Sequence, residues 1–81
     1  MSAYAAAKSG VLALMRAVAE EEQKNGVRSN AIAPTAIRTG DNVRDMGDKI
    51  RYVEREEIAE TVLFLCSDAA RAITGQTIRM G

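Results

Sequence analysis

Only two stretches of this sequence read as β-strands, residues 27–33 (VRSNAIA) and 76–80 (QTIRM), and a helix-patterned segment lies between them. That order constrains the fold more than any other feature. A strand, a helix and a second strand in one sheet make a right-handed parallel crossover, because twisted strands and a right-handed helix pack back together only with that hand. Two strands and two helices alone leave sheet edges open and apolar faces bare. The sequence therefore reads as α/β, the second half of a larger doubly wound parallel sheet, ordered helix, strand, loop, helix, strand. Residues 1–81 form one piece of one domain, and its first half is expected outside them.

The first helix is predicted over residues 2–25. Val11, Leu14, Met15 and Val18 share one face, and Ser9, Arg16, Glu20 and Gln23 lie on another. It stops at Gly26, which can turn left-handed while Val27 packs back on the last turn. The strand at 27–33 is bounded by Gly26 and Pro34, with Ser29 and Asn30 interrupting its apolar run. Residues 35–53 are charged and glycine-containing and read as a long binding or lid loop with room for one short helical turn. Helical period returns over 56–67, with Ile58, Val62, Leu65 and Cys66 on one side and acidic residues in the first turn, where they suit the helix dipole. Cys66 is expected in the core.

Composition narrows the function. The chain has 81 residues, with 11 Lys and Arg balancing 11 Asp and Glu, no His and one Cys. A disulfide framework and a thiolate metal cluster are therefore ruled out for this chain, and the commonest base and metal ligand is missing. The charges are interspersed, so the basic footprint of a nucleic-acid binder is absent. No apolar run approaches a membrane span and no signal peptide is evident, which sets a cytoplasmic expectation. The Glu20-Glu21-Glu22 run fans around the helix and cannot converge on a metal, and Asp41, Asp45 and Asp48 lack the spacing of a calcium loop. No metal site is expected.

Tyr4-Ala-Ala-Ala-Lys8 is the stretch that carries chemistry. Residues four apart on a helix share a face, so a phenol and an ammonium there can act on one point. Free tyrosine titrates near 10, about 4 kcal/mol from a proton shuttle at neutral pH, and an adjacent cation favours its charged form. A shuffled chain of this composition would show the spacing about 0.07 times, so the pair alone proves little. Its setting adds weight. Lys8 leads onto Val11, Leu12 and Met15, and a lysine beside an apolar face needs a partner.

Taken in order, Tyr4-Ala-Ala-Ala-Lys8-Ser9-Gly10, the 26–34 stretch GVRSNAIAP, Glu56-Glu57-Ile58-Ala59, Phe64-Leu65-Cys66-Ser67-Asp68 and Ile73-Thr74-Gly75-Gln76 resemble the classical short-chain dehydrogenase/reductase family. The resemblance covers nearly the whole chain and implies the C-terminal part of a Rossmann-type domain binding NAD or NADP. It implies that Tyr4 is the acid/base for a carbonyl or alcohol substrate, and that Lys8 supports Tyr4 and bonds the nicotinamide ribose. Pro34 would shape the turn after the strand. A backbone group at Ile37 and the hydroxyl of Thr39 would meet the cofactor, with Thr35 beside them. The intact protein is expected to be a homo-oligomer acting on a small molecule, without nucleic acid or membrane partners.

Several positions depart from the family pattern. Thr35 replaces the usual glycine, placing a side chain where backbone approaches the cofactor. Ser29 stands where an aliphatic residue is usual, the 40–53 loop looks about ten residues short for a lid, and the chain stops at Gly81. The Gly-rich phosphate turn and the catalytic Ser and Asn precede the Tyr/Lys helix in the family and have no counterpart here. Ser2 is too close to Tyr4 to be that serine. The alternative reading is a truncated, non-catalytic remnant or subunit-association module, and the isolated 81-residue chain is expected to be inactive.

Overall fold

The computed structural model describes residues 2–81. Helix α1 (Ala3–Glu22) starts at Ser2, whose backbone is extended and whose Oγ accepts the Ala5 N–H at 3.1 Å, satisfying one of the four donors a helix start leaves free. It ends through a 3-10 turn at Gln23–Asn25 and Gly26 at φ 74, with Val27 N–H reaching back to Glu22 O at 3.2 Å. The Val27 return is made by its backbone, and its side chain is 46% exposed.

Strands β1 (Ala31–Pro34) and β2 (Thr77–Met80) pair in parallel, with Ala31 opposite Thr77 and Pro34 opposite Met80. The expected strand at 27–33 begins four residues late. Its two polar interruptions explain why. Ser29 N–H donates to Thr74 Oγ1 at 3.2 Å, and Ser29 O accepts the Gly75 N–H at 2.7 Å. Asn30 Nδ2 donates to Ile73 O at 3.1 Å while its Oδ1 accepts the Gln76 N–H. Side chains thus knit 28–30 to the approach of β2, competing with a regular ladder. Pairing starts at Ala31, whose N–H bonds Gln76 O at 2.9 Å.

The loop at 35–53 is more ordered than its composition suggests. It contains α2 (Gly40–Met46), capped by Thr39, and Val53 returns to pair with Ile37 in an isolated parallel bridge. Helix α3 (Arg55–Leu65) starts where Glu57 Oε1 accepts the Glu54 N–H at 2.9 Å, with Glu56 and Glu57 in its first turn. A 3-10 turn at Asp68–Ala70 leads on towards β2.

Among the described residues few are buried: Met15, Ala19, Tyr52, Val53 and Ala70. Of the apolar face expected on α1, Met15 is buried but Val11 and Leu14 are 62% and 65% exposed. Cys66 is likewise exposed, correcting its expected place in the core. It lines an open cleft with Arg28, Ile32, Val62 and Leu65, because no layer among the described residues covers that side of α3. The Cα trace measures 45 × 33 × 14 Å, about one sheet with a helix layer in its thinnest direction.

Candidate active site

Tyr4 and Lys8 lie one turn apart on the first two turns of α1, which sets them above one another on one face. Both are exposed, Tyr4 by 75%. The partner expected for Lys8 is not found: no hydrogen bond or ion pair to either side chain occurs among the described residues. Ser2, excluded above as a catalytic serine, serves instead as the cap that starts their helix. Tyr4 and Lys8 therefore sit on a regular helix with their polar ends free.

The other predicted residues follow β1. Pro34 closes the strand opposite Met80, and Thr35 N–H bonds Met80 O at 3.0 Å. Thr35 points its hydroxyl towards Gly81, where an added Cβ would collide with Thr35 Oγ1. The side chain that replaces the usual glycine is thus directed at the chain end beyond β2. In the turn, Val53 N–H bonds Ala36 O at 2.7 Å and Arg38 N–H bonds Val53 O at 2.9 Å. Ile37 is left with its peptide groups on the other side. Its carbonyl accepts Asn42 Nδ2 at 2.8 Å, and its N–H finds no acceptor among the described residues. Thr39 Oγ1 accepts the Asn42 N–H at 3.1 Å as the cap of α2, so its own proton remains available to another acceptor. Pro34, Thr35, Ile37 and Thr39 are brought together in one turn. Tyr4 and Lys8 come from a separate element, and no bond joins the two groups.

Four residues that sequence reasoning missed, Asn42, Tyr52, Arg38 and Glu54, hold this turn. Tyr52, 7% exposed, donates its hydroxyl to Gly47 O, with Asn42 O at 3.2 Å. Arg38 lies over the Tyr52 ring, 4.8 Å from its centroid, and its Nε donates to Glu54 Oε1 at 2.5 Å. That hydrogen bond from Arg38 to Glu54, partly opposed by burial, raises the guanidinium pKa above its ordinary value, so Arg38 stays charged throughout the neutral range. The signal was slight: a Tyr-Val pair between Arg51 and Glu54, shorter than any periodic window. Among the described residues no group of three or more possible metal ligands occurs, and no helix is long and apolar enough to cross a membrane.

Known structures share this fold. The chain superposes on 4-hydroxyisoleucine dehydrogenase, solved with NADH, with a TM-score of 0.84 and 27% identity over 95% of this chain and 37% of that one. A short chain dehydrogenase from Bacillus anthracis gives 0.76 with 42% identity, covering 94% of this chain and 34% of that one. The fold is therefore the α/β Rossmann type of these dehydrogenases, represented here by a parallel strand pair and its helices. A family model described as enoyl-(acyl carrier protein) reductase matches residues 1–80. A short chain dehydrogenase/reductase of Aspergillus oryzae is 38% identical over 96% of the chain, and the 7alpha-hydroxysteroid dehydrogenase of Bacteroides fragilis 35% identical over 93%. The chain belongs to the short-chain dehydrogenase/reductase family. It spans about a third of the length of these curated relatives, 35% and 33% respectively.

Proposed function

We propose that these residues are the proton-handling part of an NAD- or NADP-dependent oxidoreductase that interconverts a small-molecule carbonyl and its alcohol. The observation that carries this reading is the Tyr4/Lys8 pair on a capped, regular helix, followed by a turn with two uncommitted donors, within a chain of this family. The Ile37 N–H and the Thr39 hydroxyl suit carbonyl or phosphate oxygens, so the donor set fits a nicotinamide dinucleotide, with Pro34 and Thr35 fixing where the turn begins. When bound, the nicotinamide supplies or accepts the hydride. In the reducing direction the Tyr4 phenol gives its proton to the substrate oxygen, completing the alcohol; in the other direction it takes that proton back. The Lys8 ammonium, one helical turn away, stabilises the negative charge that develops on the phenol oxygen and offers a donor to the ribose.

The phosphate-binding turn and the further catalytic side chains are assigned to sequence beyond these residues, so the 81-residue chain by itself is inactive. A second reading, subunit association, rests on the exposed Val11, Leu14, Val62 and Leu63; in the intact protein such faces are covered by the rest of the domain or by a second subunit in a homo-oligomer, within the cytoplasm. The first test is the complete gene product assayed with NADH and NADPH against a panel of ketones and aldehydes. Cofactor oxidation that depends on the carbonyl is expected. A well-folded product that oxidises neither cofactor with any of them contradicts the proposal.

A further inference from the structure

Asn42 stands at the centre of the turn with its side-chain Nδ2, its backbone N–H and its carbonyl all engaged. Its side-chain amide donates to Ile37 O at 2.8 Å, its backbone N–H donates to Thr39 Oγ1 at 3.1 Å, and its carbonyl lies 3.2 Å from the Tyr52 hydroxyl. The first bond holds the Ile37–Arg38 peptide and with it the ψ of Ile37, while the adjoining Ala36–Ile37 peptide, which carries the free Ile37 N–H, is held through Ala36 O by the Val53 N–H at 2.7 Å. The second uses a lone pair of Thr39 and not its proton, which leaves that hydroxyl able to donate. The third ties Asn42 to a buried ring. Tyr52 also donates to Gly47 O, satisfying a carbonyl that the end of α2 leaves without an intrahelical partner.

The geometry points to Asn42, braced by Tyr52, as the positioning residue that aims both donors of the cofactor turn. Neither residue touches the reacting atoms. A side-chain amide is needed because it must donate to the Ile37 carbonyl from within α2, where the Asn42 backbone N–H is already held by the Thr39 cap. Aspartate has the same shape but no donor, and its carboxylate would face the Ile37 carbonyl oxygen. Phenylalanine at 52 keeps the ring beneath Arg38 and deletes only the hydroxyl. This inference rests on the reading of Ile37 and Thr39 as cofactor contacts.

The test compares the complete gene product with Asn42→Asp, Tyr52→Phe and Gly26→Ala, the last at the end of α1 and away from the turn. Affinity for NADH and NADPH is read by nicotinamide fluorescence, kcat at saturating cofactor, and stability by urea unfolding. Asn42→Asp is expected to raise the cofactor Kd about tenfold and Tyr52→Phe about fivefold, with kcat within about twofold of wild type. Gly26→Ala, despite a loss of stability, is expected to leave Kd unchanged. Unchanged Kd in both turn variants overturns the inference, and so does a rise in Gly26→Ala as large as theirs. If Asn42→Asp does not fold, Tyr52→Phe carries the same comparison alone. A wild-type protein that binds neither nucleotide refutes the functional reading itself and this inference with it, whereas binding that the turn variants leave unaltered refutes only the role of Asn42.

Discussion

At Gly81 the backbone has φ 109, and an added Cβ would collide with Thr35 Oγ1 and meet Val53 Cγ2 at 3.2 Å. A threonine at 35 is therefore compatible with this backbone because residue 81 has no side chain. Gly81→Ala is predicted to destabilise the intact protein by about 1–3 kcal/mol, combining a left-handed φ with the collision. Thr35→Gly in the same chain should restore part of the loss, the steric part, as a shift in the urea midpoint; strictly additive losses would show that the two positions are uncoupled. At this scale the sequence was legible where a residue type implies a conformation or a chemistry. Gly26, at φ 74, belongs to that group. Tyr52 and Asn42 do not, because their roles depend on contacts across the loop, Asn42 to Ile37 and Tyr52 to Gly47, and no local period announces them. Cys66 was misplaced for a related reason: helical period shows which face is apolar, but not whether anything covers it.

Among the elements, α1 is the one whose limits follow most directly from local chemistry. Its start rests on the Ser2 cap and its end on Gly26. Ser2→Ala is predicted to cost about 1 kcal/mol by removing the acceptor for Ala5 N–H, and Gly26→Ala about 1 kcal/mol because alanine resists a φ of 74. Both are checked by urea unfolding of the intact protein; a midpoint unchanged by Ser2→Ala would show that the cap contributes nothing. The β1 boundary was less legible. Ser29 and Asn30 were visible as interruptions, but their partners, Thr74 and Gln76, lie more than 40 residues away. Likewise α2 could be expected only as a turn of unspecified place, since its cap, Thr39, sits in a segment with little apolar periodicity.

The whole molecule exposes more surface than its mass implies. A free-standing globular protein of 8.7 kDa exposes about 4,700 Å², whereas this chain exposes 6150 Å². Its radius of gyration is 15.0 Å, against about 12 Å for a compact domain of this length. The parallel pair, its helices and the five buried residues among those described do not amount to a full core, as the two-strand count had implied. The 81-residue chain studied alone is accordingly predicted to unfold over a broad range of urea without a cooperative transition, and to leave NADH and NADPH fluorescence unchanged. A sharp transition or a saturable fluorescence change would contradict this. The central claim, that Tyr4 is the acid/base of a nicotinamide-dependent reaction, is tested most directly by Tyr4→Phe in the complete gene product, with turnover and cofactor Kd measured together. Loss of the phenolic proton should lower kcat at least 100-fold, within the range expected for a general acid/base, while Kd changes less than about threefold. Turnover within twofold of wild type would contradict the assignment.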